Sequence, residues 1–146
     1  MLNAPVIVKS EESRDILVGE PEIAAVLEKG RSCNVAIVGI GQIDMCSTTV
    51  KAGALNHSDI ENLKKAGAVA SVCTSYIDKD GKLIDTELKG RSIGLTFDQL
   101  KRCKTIALAI GDSKVESIKA ALQAGYIDVL ITNLETARAI MDEKQL

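Results

Sequence analysis

The chain is poor in aromatic residues: Tyr76, Phe97 and Tyr126 are the whole set, and there is no tryptophan. Its core must therefore be filled by Val, Ile, Leu and Ala, the residues that pack helices against a parallel sheet. Histidine is almost absent, His57 alone, and the four cysteines are widely spaced with no C-x-x-C pair, which argues against zinc and leaves no metal site. Cys33, Cys73 and Cys103 adjoin or lie within apolar runs and read as reduced, buried thiols, whereas Cys46 falls in a polar loop. No sign of charge dominates, with 18 Lys and Arg against 20 Asp and Glu and a net charge of -2. Phosphate contacts need clustered Lys and Arg, so nucleic-acid binding by this chain is not expected, and the scattered charges read as solvated helix faces. No apolar run approaches the ~18 residues of a membrane span. The start, "MLNAPVIVKSEES", lacks the basic opening and long apolar stretch of a signal peptide, so a cytoplasmic protein with no membrane partner is expected. A chain of 146 residues suits one domain with a real core.

What is present alternates. "AAVLEKGRSCNVAIVGIG", "ENLKKAGAVASVCTSYI" and "AALQAGYIDVLITN" each read as a helix, a glycine and an apolar strand, with Gly30, Gly67 and Gly125 suited to the left-handed position past a helix end. A fourth strand, "KTIALAIG", follows "TFDQLKRC", where Thr96 and Gln99 have capping-box spacing. The alternation predicts an α/β fold, a mainly parallel sheet with helices on both faces. Val115, Ile118 and Leu122 line one helix face, and Leu134, Ala137, Ile140 and Met141 another. "APVIV" reads as an edge strand, since Pro5 would be awkward in a central one. "SYIDKDGKLI" departs from the pattern: Asp80 and Gly81 mark a hairpin turn between strands Tyr76–Asp78 and Lys82–Ile84.

Ligands of open parallel sheets bind beyond the carboxyl ends of the strands. Those ends are "VGIGQIDMCSTT", "SYIDKDGK", "AIGDSK" and "ITNLET". The glycines of "GIGQID" admit a ligand close to the backbone, but Asp44 stands where the dinucleotide fingerprint needs its third glycine, and no nicotinamide or other cofactor is expected. Ser47, Thr48 and Thr49 offer hydroxyls to sugar or phosphate oxygens, or are simply loop residues. "DKDGK" lacks the ligands of a calcium loop, and Asp78 either binds a ligand hydroxyl or forms the turn. In "AIGDSKVESIK", Ser113 with Glu116 reads as a capping box, which makes Lys114 the first residue of the helix. A cation at the positive end of a helix dipole is misplaced unless it meets an anion, and with free backbone N–H groups beside it the spot suits a phosphate or carboxylate. Asp112, two residues earlier, opposes a strong anion site unless it points away or binds a hydroxyl.

In order and spacing, "LNAPVIV", "VAIVGIGQ", "KKAGAVASVCTSYIDKDGK", "KGRSIGLTFDQLK" and "ALAIGDSKVESIKAALQAGYIDVLITNLETA" cover nearly the whole chain. Together they resemble the carboxyl-terminal part of the effector domain of the SorC family, sugar-responsive bacterial transcriptional regulators. The resemblance implies a fold related to ribose-phosphate isomerases and glucosamine-phosphate deaminases, and a phosphorylated sugar bound at strand ends. It implies that Gly41 and Gln42 line the pocket, that Asp78 and Arg91 lie at or near it, and that Lys114 contacts the effector; Ser47 is a candidate through its loop hydroxyl alone. Ile110 stands where the family commonly has a glycine, and Ala70 and Ser71 where it has Gly-Asp. The family's helix-turn-helix and the first half of its effector domain are not in this sequence, so residues 1–146 are expected to be one part of a sugar-binding domain, either a fragment or a short product, with DNA contact made elsewhere.

Three functions follow as alternatives. The first is an effector-sensing module of a regulator of carbohydrate metabolism, without catalytic residues, whose ligand shifts an oligomer between DNA-binding states. The second is a sugar-phosphate isomerase, which needs a general base; Asp44, Asp78 and Asp112 are the candidates, and His57, before a helix cap at Ser58, suits the surface better. The third is a structural oligomerisation domain with a vestigial site. A homo-oligomer is expected in each case, because half a sheet domain leaves edges and apolar faces to cover.

Overall fold

In the computed structural model, which describes residues 1–142, the apolar run Val35–Gln42 forms strand β1 in the middle of a single sheet. Helices α1 (Glu11–Gly19) and α2 (Pro21–Arg31) precede it. After it come α3 (Thr48–Lys51), α4 (His57–Lys65), β2 (Ala68–Val72), β3 (Ser75–Asp78), β4 (Leu83–Ile84) and α5 (Glu87–Arg91). The last part holds β5 (Lys104–Leu108), α6 (Val115–Gln123), β6 (Val129–Ile131) and α7 (Leu134–Asp142). Among the described residues the sheet has six strands in the order β4-β3-β2-β1-β5-β6.

The sheet is mixed. β1, β5 and β6 are parallel, with Val35 beside Lys104 and Ile106 beside Val129, as strand and helix alternation predicts. β1 to β4 form an antiparallel meander. The difference lies in the connection between β1 and β2. The excursion through α3 and α4 leaves and re-enters at the same end of the sheet, where Gln42 pairs with Ala70, so the next strand runs back. A helix between two strands makes them parallel only when it crosses to the opposite end.

One face of the sheet is covered along its length. Val38, Ile40, Ala70, Val72, Ile77, Ala107 and Ala109 pack against Ile118, Ala120 and Ala121 of α6 and against Phe97 and Leu100. Two of the three aromatic rings meet here, Phe97 and Tyr126, edge to face at 4.5 Å. On the other face, Ile43, Leu55, Ile60, Leu63, Ala68, Tyr76 and Leu88 form a second cluster over β2 and β3, and Ile23, Leu27 and Ile93 a third. Nothing comparable lies over β1, β5 and β6 on that face, where Val35, Ile37, Leu108, Val129 and Ile131 are exposed.

Local expectations meet mixed outcomes. Gly67 and Gly125 sit in the left-handed region past α4 and α6, but Gly30 lies inside α2, which continues to Arg31. The hairpin turn is where "DKDG" places it; Gly81 has φ +81, and a Cβ there would lie 2.6 Å from the backbone nitrogen of Ala124, so the turn sits directly on the end of α6. "APVIV" makes no strand, only an isolated bridge from Ile7 to Ser92. α4 is capped by Asn56 and Asp59, each side chain accepting from the other's backbone N–H, rather than by Ser58. Thr96 and Gln99 do cap, with Thr96 N donating to Gln99 Oε1 at 3.0 Å, although the turn they open is a 3₁₀ helix, Phe97–Arg102. Cys33 and Cys73 are exposed, not buried, and Cys103 is half-buried; adjoining an apolar strand puts a residue at its end, where the sheet gives no cover. No helix among the described residues is long and apolar enough to cross a membrane.

Candidate functional site

The carboxyl ends of β1, β5 and β6 lie side by side, and the chain beyond each is polar. After β5, Ala109 N donates to Ile131 O at 3.2 Å, so pairing with β6 persists to the strand end. Gly111 then takes φ +118, a conformation L side chains rarely adopt, and its N–H donates to Thr136 Oγ1 of α7 at 3.0 Å. Asp112–Lys114 form a 3₁₀ turn closed by Lys114 N to Gly111 O at 3.0 Å, and α6 begins at Val115. Ser113 is therefore not the helix cap: it is exposed, and no side chain caps α6. The tight turn takes up the residues that a capping box would have used.

Lys114 does not reach into solvent. It is half-buried, and its ammonium folds back over the sheet to donate to Ile40 O at 3.0 Å, next to Gly41 and Gln42. An ammonium carries three donors, so two remain for another acceptor. Three residues on, Ser117 Oγ donates to Val69 O at 2.7 Å, which pins the first turn of α6 across β1 and β2.

Gly41 lies against β2 so closely that a Cβ would fall 2.5 Å from Ser71 Oγ. Gln42 Nε2 donates to Asp44 Oδ2, and Asp44 Oδ1 accepts from Cys46 N at 2.8 Å, so this carboxylate orders the loop after β1. The amide oxygen, Gln42 Oε1, is buried without a hydrogen-bond partner. Ser47 and Thr49 share a hydroxyl contact of 3.1 Å in the same loop. At the end of β6, Thr132 Oγ1 is likewise buried and unpartnered, and Asn133 Oδ1 accepts from Thr136 N at 3.0 Å. Thr132 and Thr136 were not singled out from sequence; the hydroxyl-rich strand end "ITNLET" was their only signal.

Two expected site residues are engaged elsewhere. Asp78 is at the same end of the sheet as Gln42, two strands away, since it pairs with Ala68 and Gln42 with Ala70. Its carboxylate accepts from Asp80 N and Lys82 N at 2.9 and 2.8 Å, so it forms the turn. Arg91 ends α5 and pairs with Asp59 at 3.0 Å, beside a cleft bordered by Asn62 and Glu87 that Lys114 does not line. Burial, and after it the Asp59 carboxylate, push the neighbouring Tyr76 phenol up to about 12, with Arg91 opposing. Of the other candidate bases, Asp112 is exposed, and His57 is exposed with its Nδ1 3.5 Å from Glu61. Among the described residues no group of three or more His, Cys, Asp or Glu could hold a metal ion.

Residues 1–142 match a family whose description is "Putative sugar-binding domain". The erythritol catabolism regulatory protein EryD of Brucella abortus is 28% identical over 143 residues, 98% of this chain and 45% of that protein. The sorbitol operon regulator of Klebsiella pneumoniae is 29% identical over 116 residues, 75% of this chain and 35% of that one. A DeoR family transcriptional regulator from Listeria monocytogenes has a solved structure that superposes with a TM-score of 0.89 at 36% identity, over 95% of this chain and 57% of the other. The chain thus spans about half the length of the relatives it matches.

Proposed function

The chain belongs to the SorC family of sugar-binding domains, and from that premise we propose that it is the effector-sensing part of a bacterial regulator of carbohydrate metabolism, with a phosphorylated sugar as its ligand. One observation carries this reading: the Lys114 ammonium is held over the end of β1 at 3.0 Å from Ile40 O, with donors to spare. An anionic group placed there meets the lysine and the first turn of α6 together. Gln42, Ser47 and Thr132 are the polar side chains at these strand ends that a sugar would meet, while Gly41 gives way to Ser71 Oγ, which fills the space of its missing Cβ. Asp78 and Arg91 stand outside this contact, Asp78 holding the hairpin turn and Arg91 paired with Asp59.

The kinship with ribose-phosphate isomerases and glucosamine-phosphate deaminases belongs to the same reading, as do a cytoplasmic setting, homo-oligomeric assembly, and DNA contact made by a part of the regulator outside this chain. Sensing is favoured over catalysis because two of the candidate bases are engaged locally, Asp44 with Gln42 Nε2 and Cys46 N and Asp78 with Asp80 N and Lys82 N.

The test is thermal unfolding across a panel of free and phosphorylated sugars, for the wild type and Lys114→Ala, with turnover assayed in the same samples. A ligand at 100 times its dissociation constant stabilises the folded state by about 2.7 kcal/mol. Stabilisation that needs both the phosphate and Lys114, without turnover, is the expected result. No shift with any sugar overturns the sensor, and turnover replaces it with an enzyme.

A further inference from the structure

The ladder between β1 and β5 stops one rung short of where its own pattern leads. Its rungs recur at every second residue. Lys104 N donates to Asn34 O at 2.8 Å, and the register of Ile37 with Ile106 and of Gly39 with Leu108 sets the next two, Ile106 N to Ala36 O and Leu108 N to Val38 O. The residues between them point the other way, Thr105 N to Asp128 Oδ2 at 2.7 Å and Ala109 N to Ile131 O at 3.2 Å. Ile110 N therefore faces β1, and the acceptor next in line for it is Ile40 O. That oxygen is taken: it accepts from the Lys114 ammonium at 3.0 Å. Among the described residues the Ile110 N–H has no partner, although both neighbours do, Ala109 N with Ile131 O and Gly111 N with Thr136 Oγ1.

We propose that the Lys114 ammonium is a latch standing in the place of the last rung, and that an anion drawing it off Ile40 O lets the Ile110 N–H close on that carbonyl. The exchange is favourable on both sides. An ammonium bonds an anionic oxygen more strongly than a neutral carbonyl, and a carbonyl at a sheet end is costly to leave without a donor. The hinge is at hand as well: Gly111, with φ +118, separates the end of β5 from the 3₁₀ turn that carries Lys114, so strand and turn can shift against each other where no side chain is strained. The latch deepens the sensor reading and rests on it for the anion, whereas the exchange of the two donors needs no ligand. Occupancy of the site is thereby turned into the length of the central parallel ladder, an element with two discrete states that a ligand can bias.

Amide hydrogen exchange read residue by residue by NMR tests it. In ligand-free Lys114→Ala and Lys114→Met, which remove the ammonium, the Ile110 N–H should exchange about tenfold more slowly than in the wild type, the effect of one added hydrogen bond. Lys114→Arg keeps a cationic donor for Ile40 O and should leave Ile110 as in the wild type. Protection of Ile106 in every variant reports an intact sheet. Inorganic phosphate, against chloride of equal ionic strength, should slow Ile110 in the wild type and leave it unchanged in Lys114→Ala. Equal exchange at Ile110 in the wild type and Lys114→Ala, with Ile106 protected in both, overturns the latch. Closure in Lys114→Ala that phosphate does not reproduce in the wild type overturns the anion as its release. If no sugar stabilises the chain while Lys114→Ala still closes the rung, the sensor reading falls and the exchange of donors stands.

Discussion

The two halves of the sheet are made of the same kinds of aliphatic residue and are finished differently. Over β2 and β3 both faces are closed: Ala70, Val72 and Ile77 face α6, and Ala68 and Tyr76 face Ile60, Leu63 and Leu88. Over β1, β5 and β6 only the α6 side is closed, and Ile37 on the other side is as open as a surface residue. The closed half is where polar side chains are used up in structure: Asp78 in the hairpin, Asp59 with Arg91, Ser75 Oγ accepting from Phe97 N. In the half-open part Lys114 donates to a strand carbonyl, and Gln42 Oε1 and Thr132 Oγ1 are buried without partners, as is Thr86 Oγ1 beside β4.

The largest effect that can break this comparison comes from paired truncations. Phe97→Ala and Ile60→Ala should cost about 3–5 and 2–5 kcal/mol in denaturant unfolding, because both leave cavities in closed packing. Ile37→Ala, measured on dilute chain, should stay within about 0.5 kcal/mol. A comparable loss at Ile37 would show that the open face is structural. Next comes Asp59→Ala, expected to cost about 1–3 kcal/mol, since it removes half of the Asn56 capping box and leaves the Arg91 guanidinium without its acid. Lys114→Ala should change unfolding free energy by less than about 1 kcal/mol, the worth of one hydrogen bond, while abolishing the ligand-induced shift. A large stability loss there would move Lys114 into the structural half. The smallest effect over ordinary buffers is that of Tyr76. Its pKa is raised to about 12 in the folded chain, from an ordinary value near 10, so its contribution is complete below pH 10 and is lost as pH rises toward 12. Tyr76→Phe should flatten that part of a pH–stability curve measured by denaturant titration.

Much of this was legible in the sequence for physical reasons. Apolar runs bounded by glycine and polar turns specify β1, β5 and β6 and their shared direction, and "DKDG" specifies the hairpin. The direction of β2 was not legible, because it depends on where the chain re-enters the sheet after α4, which no local pattern encodes. Lys114 stood out as a cation at a helix start, and the structure gives the reason in different form: a 3₁₀ turn holds it and a strand carbonyl receives it. Thr132 and the unpartnered oxygen of Gln42 were invisible, since whether a polar atom finds a partner is decided by tertiary packing. Asp78 had two readings, and only the distances to Asp80 N and Lys82 N choose between them.

The place of β1 also fixes an order of events during synthesis. Its antiparallel neighbour β2 follows after one short excursion, but its parallel neighbour β5 begins only at Lys104, after the whole meander and α5. At roughly 5–20 residues per second on the ribosome, one edge of the central strand waits for seconds with its N–H and C=O groups unpaired. In that interval the unpaired edge of β1 is open to pairing with another strand, a hazard that belongs to the order of the chain and not to the finished core.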